Sequence, residues 1–150
     1  MRSLTNVEKG YIAGIVDGEG WIGLVNRTDR RNKDNINCQA YLMIGSTDKR
    51  LLDYLVKVTG LGHISKKYYA KDNKYAQNRK PSWLLRFSPN SMRDLLPLII
   101  PYLIIKRRQA EIALEYLKMT KQGCHRSNED RIKISKLYNE IKALNKKGRA

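Results

Sequence analysis

Two carboxylates, Asp17 and Glu19, flank a glycine in the segment DGEG, where the sequence predicts the C-terminal end of a helix. A carboxylate there faces the negative end of the helix dipole, so the placement is locally unfavourable. A divalent cation would offset this charge, and Mg²⁺ is commonly held by one or two carboxylates together with phosphate oxygens of a substrate. The alternative is a solvated turn with two incidental acids. The spacing therefore predicts a candidate metal site suited to phosphate chemistry.

The helix that precedes these acids has a stripe along one face with almost no side chains. Glycine recurs at a four-residue interval, at Gly10, Gly14 and Gly18, and Ala13 and Asp17 form the neighbouring row. Residues four apart share one helix face. Each glycine inside a helix costs about 0.8–1 kcal/mol relative to alanine, so the stripe indicates close approach to another element. That element is either a second helix or the sheet of the same chain.

The charge of the chain points to a polyanionic partner. Thirty lysines and arginines stand against fourteen acids, which gives a net charge of +16. Nucleic acid is the first candidate and an anionic membrane surface the second; a merely solubilising surface would mix both signs. The basic residues concentrate in two predicted strand pairs and their loops, with aromatic residues among them. The candidate DNA-binding residues are Arg27, Arg30, Arg31, Lys33, Lys66, Lys67, Tyr68, Lys71, Lys74, Tyr75, Arg79, Lys80 and Arg86.

The elements that must position these residues follow the order αββαββα, with further C-terminal helices. Thr5 and Glu8 have capping-box spacing for the first helix, and the first two strands are expected at 21–27 and 36–44. Ser88 followed by Pro89 is typical of a helix start. The other expected elements are a helix from Thr47 to Gly60, strands at 62–69 and 82–88, a short helix that ends near Pro97, a helix over 101–121, and a last helix that begins around Ser127 and ends at Gly148.

Length and composition exclude several classes of protein. A chain of 150 residues that is 41% hydrophobic and 29% charged can bury one ordinary core, so wholesale disorder is excluded. Cys38 and Cys124 have no metal-ligand spacing and are expected to be free thiols in a reducing compartment. The longest apolar run, residues 95–105, contains two prolines and is too short to span a bilayer.

Residues 12–20, IAGIVDGEG, resemble the LAGLIDADG motif of homing endonucleases, with Gly18 in place of the alanine and Glu19 in place of the second aspartate. The resemblance covers about residues 5–121 and implies an α+β fold, αββαββα, whose antiparallel, saddle-shaped sheet binds DNA. The chain would be one domain over 1–150, with a C-terminal helical extension over about 126–148. Only one motif copy is present, and single-copy members of the family are homodimers.

The resemblance also implies roles for the residues of the motif. Glu19 would be catalytic and a metal ligand, the backbone carbonyl of Gly18 would be a further ligand, and Asp17 would be mainly structural. The motif helices of two subunits would pack together, which would place four residues in the dimer interface: Gly10, Ala13, Gly14 and Asp17.

Two positions outside the motif are also implied. The stretch PYLIIKRRQ, residues 101–109, resembles the family segment that delivers a basic residue to the active site. It indicates Lys106 as the second catalytic residue, with Arg107 or Arg108 as substitutes. The family often places a water-orienting polar residue near the end of the second strand, where this sequence has Ser46, and the sequence leaves that role open.

We therefore predict a homodimeric, Mg²⁺- or Mn²⁺-dependent endonuclease that cuts both strands of double-stranded DNA at a long pseudo-palindromic site, as intron-encoded homing enzymes do. A maturase-type RNA-binding protein and a non-catalytic DNA-binding regulator are alternatives on the same fold. The presence of both Asp17 and Glu19 argues against the regulator. No targeting segment is visible, so the expected location is a prokaryotic cytoplasm or the organelle of synthesis.

Overall fold

The order of elements is αββαββα followed by two more helices, as predicted. The computed structural model describes residues 3–27, 37–67, 80–120 and 127–146. A 3₁₀ turn, Ile100–Tyr102, lies between the third and fourth helices. The elements are α1 (Asn6–Glu19), β1 (Gly20–Asn26), β2 (Cys38–Ser46), α2 (Lys49–Thr59), β3 (His63–Lys66), β4 (Trp83–Phe87), α3 (Pro89–Ile99), α4 (Arg107–Met119) and α5 (Asn128–Lys146).

Local capping signals fix where the first helices begin. The Thr5 hydroxyl accepts the N–H of Glu8 at 3.2 Å, and the Glu8 carboxylate accepts the N–H of Thr5 at 2.9 Å, which confirms the capping box. For α2 the prediction is wrong by one residue, because Asp48 rather than Thr47 is the N-cap. The Asp48 carboxylate accepts the N–H of Arg50 at 2.9 Å and also pairs with its guanidinium.

The predicted helix over 101–121 begins later than expected. Pro97 lies inside α3 instead of ending it, and the chain then leaves the helical path between the 3₁₀ turn and Arg107. The reason is a distant side chain: the N–H groups of Ile104, Ile105 and Lys106 donate to the carboxylate of Asp17. In a continuous helix these N–H groups would donate to carbonyls of the preceding turn, but here they donate to the end of α1.

The sheet is antiparallel, with strand order β1-β2-β4-β3. Trp21 pairs with Met43, Met43 with Arg86, and Arg86 with His63. Opposite residues in an antiparallel pair share a face, so these four side chains belong to one face of the sheet. We call this face the outer face, because the alternate residues point the other way, into the core.

The core lies between the inner face of the sheet and the helices. The sheet contributes buried residues such as Ile22, Leu42 and Leu85. The helices bury a further set that includes Ile12, Leu55, Leu96, Ile112, Ile134, Leu137 and Ile141. The last three belong to α5, so the C-terminal helix packs into the same core as α1 to α4. Within the described residues, no helix has the length and apolar character needed to cross a membrane.

Candidate functional site

Glu19 lies at a direct junction between helix and strand. It is the last residue of α1, and β1 begins at the next position, Gly20. The N–H of Gly20 donates to the Val16 carbonyl, and a Cβ at Gly20 would lie only 2.6 Å from that oxygen. Glycine is therefore required for the chain to turn from helix into strand without a loop. The Glu19 side chain is exposed and stands at the point where the helix meets the sheet.

Asp17 fastens the segment that precedes α4 to the end of α1. One carboxylate oxygen accepts the N–H of Ile104 at 2.8 Å and of Ile105 at 3.2 Å, and the other accepts the N–H of Lys106 at 2.9 Å. Partial burial raises the pKa of Asp17, but these three donors and the Lys106 ammonium lower it, and the pKa ends below its ordinary value. Asp17 is thus an ionised anchor.

The side chain of Lys106 makes a second contact between this segment and the backbone of α1. Its Nζ donates to the Val16 carbonyl at 3.0 Å and also to the Asp17 carbonyl. Burial lowers the pKa of Lys106, the charges of Asp17 and Glu19 raise it, and the net pKa lies below its ordinary value. The ammonium thus occupies the carbonyl end of α1, where a cation is favoured, within electrostatic reach of Glu19.

A groove of about 780 Å³ connects this junction with the outer face of the sheet. Ser46 lies on its wall, and the Ser46 hydroxyl accepts the N–H of Asp48 at 3.0 Å. The other residues that define its character are Glu19, Trp21, Met43, Lys67, Leu84 and Arg86. One carboxylate and two cations therefore border one open, partly apolar surface.

Five of the candidate DNA-binding residues lie in the described part of the chain. Arg27 and Arg86 are on the outer face, and the Arg27 guanidinium donates to the hydroxyl of Tyr41. Lys67 also reaches this face, since its Nζ lies 3.2 Å from the position that a Cβ of Gly45 would take. Lys80 is exposed ahead of β4. Lys66 pairs with Trp83, and by the alternation of residues along β3 it belongs to the inner face of the sheet. Outside the described residues lie Arg30, Arg31, Lys33, Tyr68, Lys71, Lys74, Tyr75 and Arg79.

The glycine stripe of α1 is open only in part. A Cβ at Gly14 or Gly18 would meet nothing within 4 Å, whereas a Cβ at Gly10 would lie 3.8 Å from Tyr102 of the same chain. Ala13 has no exposed surface and packs into its own core, which corrects the prediction that it faces a second subunit. The carboxylate of Asp17 is likewise engaged within the chain.

Exposed apolar residues that the sequence reading missed extend this open stripe. Val7 is 82% exposed and Tyr11 49%, and both share the helical face of Gly14 and Gly18. Ile104 and Ile105, in the segment held by Asp17, are 87% and 72% exposed. The sequence does contain a signal for this face: positions 7, 11, 14 and 18 have helical spacing, and none of them is charged.

The described residues of one chain supply few ligands for a metal ion at this junction. Across the described ranges, no three histidine, cysteine or carboxylate side chains converge on one point. Asp17 is occupied by backbone donors, so Glu19 is the exposed carboxylate of this junction, and the Gly18 carbonyl is adjacent to it. Such a pair fits Mg²⁺, which keeps several waters and takes one or two carboxylates together with phosphate oxygens.

Comparison with known proteins identifies the fold. No protein-family model matches the sequence, and no curated protein does. Among solved structures, the archaeal intron-encoded homing endonuclease I-Vdi141I, complexed with DNA, is similar at a TM-score of 0.75 and 18% identity, over 93% of this chain and 84% of that one. The homing endonuclease I-CvuI, in complex with a DNA target in the presence of Mg, gives a TM-score of 0.70 and 19% identity over 92% of this chain and 82% of that one.

A longer structure has the same fold. The LAGLIDADG homing endonuclease I-LtrWI, bound to target DNA, gives a TM-score of 0.67 and 20% identity over 93% of this chain but only 46% of its own length. The predicted fold is therefore confirmed: this chain has the α+β architecture of LAGLIDADG homing endonucleases.

Proposed function

We propose that this chain, with the fold of the LAGLIDADG homing endonucleases, is one subunit of a homodimeric, site-specific DNA endonuclease. The observation that carries the proposal is the junction of α1 and β1. There Glu19 is exposed at the border of a groove on a cationic sheet, and the Lys106 ammonium, fixed on the carbonyls of the helix end, lies within electrostatic reach of it. This arrangement suits hydrolysis of a phosphodiester bond.

The outer face supports double-stranded DNA as the substrate. A two-stranded antiparallel ribbon fits a major groove roughly 12 Å wide, and β1 with β2 forms such a ribbon. At about 3.3 Å per residue, the nine residues of β2 follow about 30 Å of the duplex, or roughly nine base pairs. Arg27, Lys67 and Arg86 supply positive charge along this path.

The open face of α1 supports a dimer. Gly14 and Gly18 let a second backbone approach, and Val7 and Tyr11 supply apolar area that is exposed in the single chain. A twofold axis along this face would bring two Glu19 side chains together, one for each DNA strand. Since dimer symmetry is mirrored in the recognised site, the target would be pseudo-palindromic.

The residues at the junction divide the chemistry between them. Glu19 and the Gly18 carbonyl would hold a divalent cation, Mg²⁺ or Mn²⁺, which when bound stabilises charge on the attacking and leaving oxygens of an in-line displacement. Lys106 uses two of its three donors on the carbonyls of α1, so one donor is left for a phosphate oxygen or an ordered water. A fixed ammonium there stabilises the negative charge that develops on the phosphate.

The decisive experiment is a cleavage assay on a randomised duplex library, with and without Mg²⁺, followed by Glu19→Gln on the selected target. We expect the variant to lose cleavage and to bind the duplex within a few-fold of the wild type, because the phosphate contacts are kept. Glu129→Gln, an exposed acid on α5, is the matched control and should cut normally. Cleavage by Glu19→Gln at the wild-type rate would reject the assignment of Glu19, and absence of cleavage in the whole library would reject the proposed function.

A further inference from the structure

The outer face carries an apolar patch in the middle of its charges. Trp21, Met43 and Leu84 all line the groove beside Glu19. Trp21 is directly opposite Met43 in the sheet, and Leu84 is the diagonal neighbour of Met43 on β4. Such neighbours lie about 5 to 8 Å apart, so the three side chains form one continuous surface. We call it the groove patch.

Trp21 is held in a defined position on this surface. A Cβ at Gly23 would overlap the six-membered ring of Trp21, so the indole covers the backbone of Gly23. Gly23 is buried although it lies on the outer face, and Trp21 itself stays 36% exposed. The bare glycine is therefore what lets the indole lie along the strand and present apolar area outwards.

The flanks of the groove patch are cationic. Lys67 extends its ammonium over Gly45, next to Leu84, and Arg86 is directly opposite Met43. The patch also lies on the side of the sheet away from the core. The cationic flanks therefore favour the same polyanion that the other basic residues attract. The patch itself favours an apolar group of that polyanion.

We propose that the groove patch binds the C5-methyl groups of thymine in the major groove, and so makes Trp21 a specificity-determining residue. This inference rests on the proposed function. Each base pair presents a distinct pattern in the major groove, and the thymine methyl is the apolar group in that pattern. The patch adjoins Glu19, so the preferred A·T pairs lie at the end of each half-site nearest the scissile phosphates.

The test replaces thymine by deoxyuridine, which keeps the base pairing and lacks only the methyl group. The duplex selected from the library is substituted at one thymine at a time, and binding to the wild type is measured without divalent metal. Removal of one buried methyl should weaken binding about three- to fivefold at one or two positions near the cleavage site. Trp21→Ala should bind thymine and deoxyuridine duplexes equally at those positions, whereas Gln39→Ala, a polar change on the same face, should keep the discrimination.

Three results would overturn the proposal. The first is a wild type indifferent to deoxyuridine throughout the half-site, and the second is a selected target with no A·T pair there. The third is unchanged discrimination in Trp21→Ala. The scan on the wild type decides the matter even if a variant folds poorly. Cleavage of the unmodified duplex tests the proposed function separately, so the two failures are distinguishable.

Discussion

Asp17→Asn tests whether the anchored segment matters for cleavage. The substitution keeps the size of the side chain but turns one carboxylate oxygen into a donor. Whichever way the amide lies, it loses either the bond from Lys106 or those from Ile104 and Ile105, and the remaining bonds lose their charge assistance. Hydrogen bonds to charged groups contribute about 1.5–3 kcal/mol each, and solvent competes here, so we expect the anchored state to lose about 2 kcal/mol.

That loss shifts the equilibrium between the anchored and released segment roughly 30-fold towards release. Lys106 then spends less time on the carbonyls of α1, and we expect the single-turnover cleavage rate at saturating DNA to fall about tenfold or more. DNA affinity should stay within about twofold, because the outer face is untouched. The measurement is therefore a rate constant set against a dissociation constant for the same duplex.

Asp53→Asn is the matched control, since it removes the same charge from a surface pair with Lys49 on α2, and such pairs contribute little. A variant at Asp17 that melts earlier but cuts at the wild-type rate would refute the reasoning, because Asp17 would then be structural and Lys106 would need no anchoring. A slower rate matched by equally weaker binding would also refute it.

Three further predictions concern association, pH and salt. Gly14→Leu should convert the proposed dimer to a folded monomer in sedimentation experiments, because a Cβ at position 14 would meet nothing of its own chain within 4 Å, whereas a leucine would fill the open stripe; Lys57→Leu is the control, and a dimeric Gly14→Leu protein would contradict the interface. The Arg50 guanidinium and N–H lower the pKa of Asp48 to about 2, so its stabilising effect is complete above about pH 3.8 and is lost as the pH falls towards 2. Asp48→Asn, which keeps an N-cap but does not titrate there, should show a smaller fall of the melting temperature over that range, and an identical fall would contradict the assignment. Arg86→Ala should reduce the slope of log binding constant against log salt by about one for a phosphate contact, and an unchanged slope would argue against that contact.

Local signals predicted the parts of the fold that depend on neighbours in sequence. The capping box of Thr5 and Glu8 and the Ser88-Pro89 start both act within one helical turn. Thr47 and Asp48 are both competent caps, and the sequence alone does not rank them. These interactions are short in sequence, so their residue types are sufficient evidence.

The beginning of α4 could not be predicted in the same way. The donors of residues 104–106 reach an acceptor that is 87 to 89 positions earlier in the chain, and periodicity contains no information about such a contact. The side of α1 that faces outwards was ambiguous for a related reason. Ala13 and Gly14 are both small, and only the packing of the folded chain shows that Ala13 is buried and Gly14 open.

The last helix has a consequence for how copies of this chain can meet. β1 is an edge strand, and α5 packs along it, with the Asn145 amide donating to the Ile22 carbonyl at 3.0 Å. A backbone acceptor that could template another strand is thereby satisfied from within. The opposite edge, β3, is four residues long, ends at Lys66 and is followed directly by Lys67, a pattern that discourages sheet extension. Growth of the sheet from molecule to molecule is thus hindered at the β1 edge and unfavourable at the β3 edge, which favours closed assemblies over fibres.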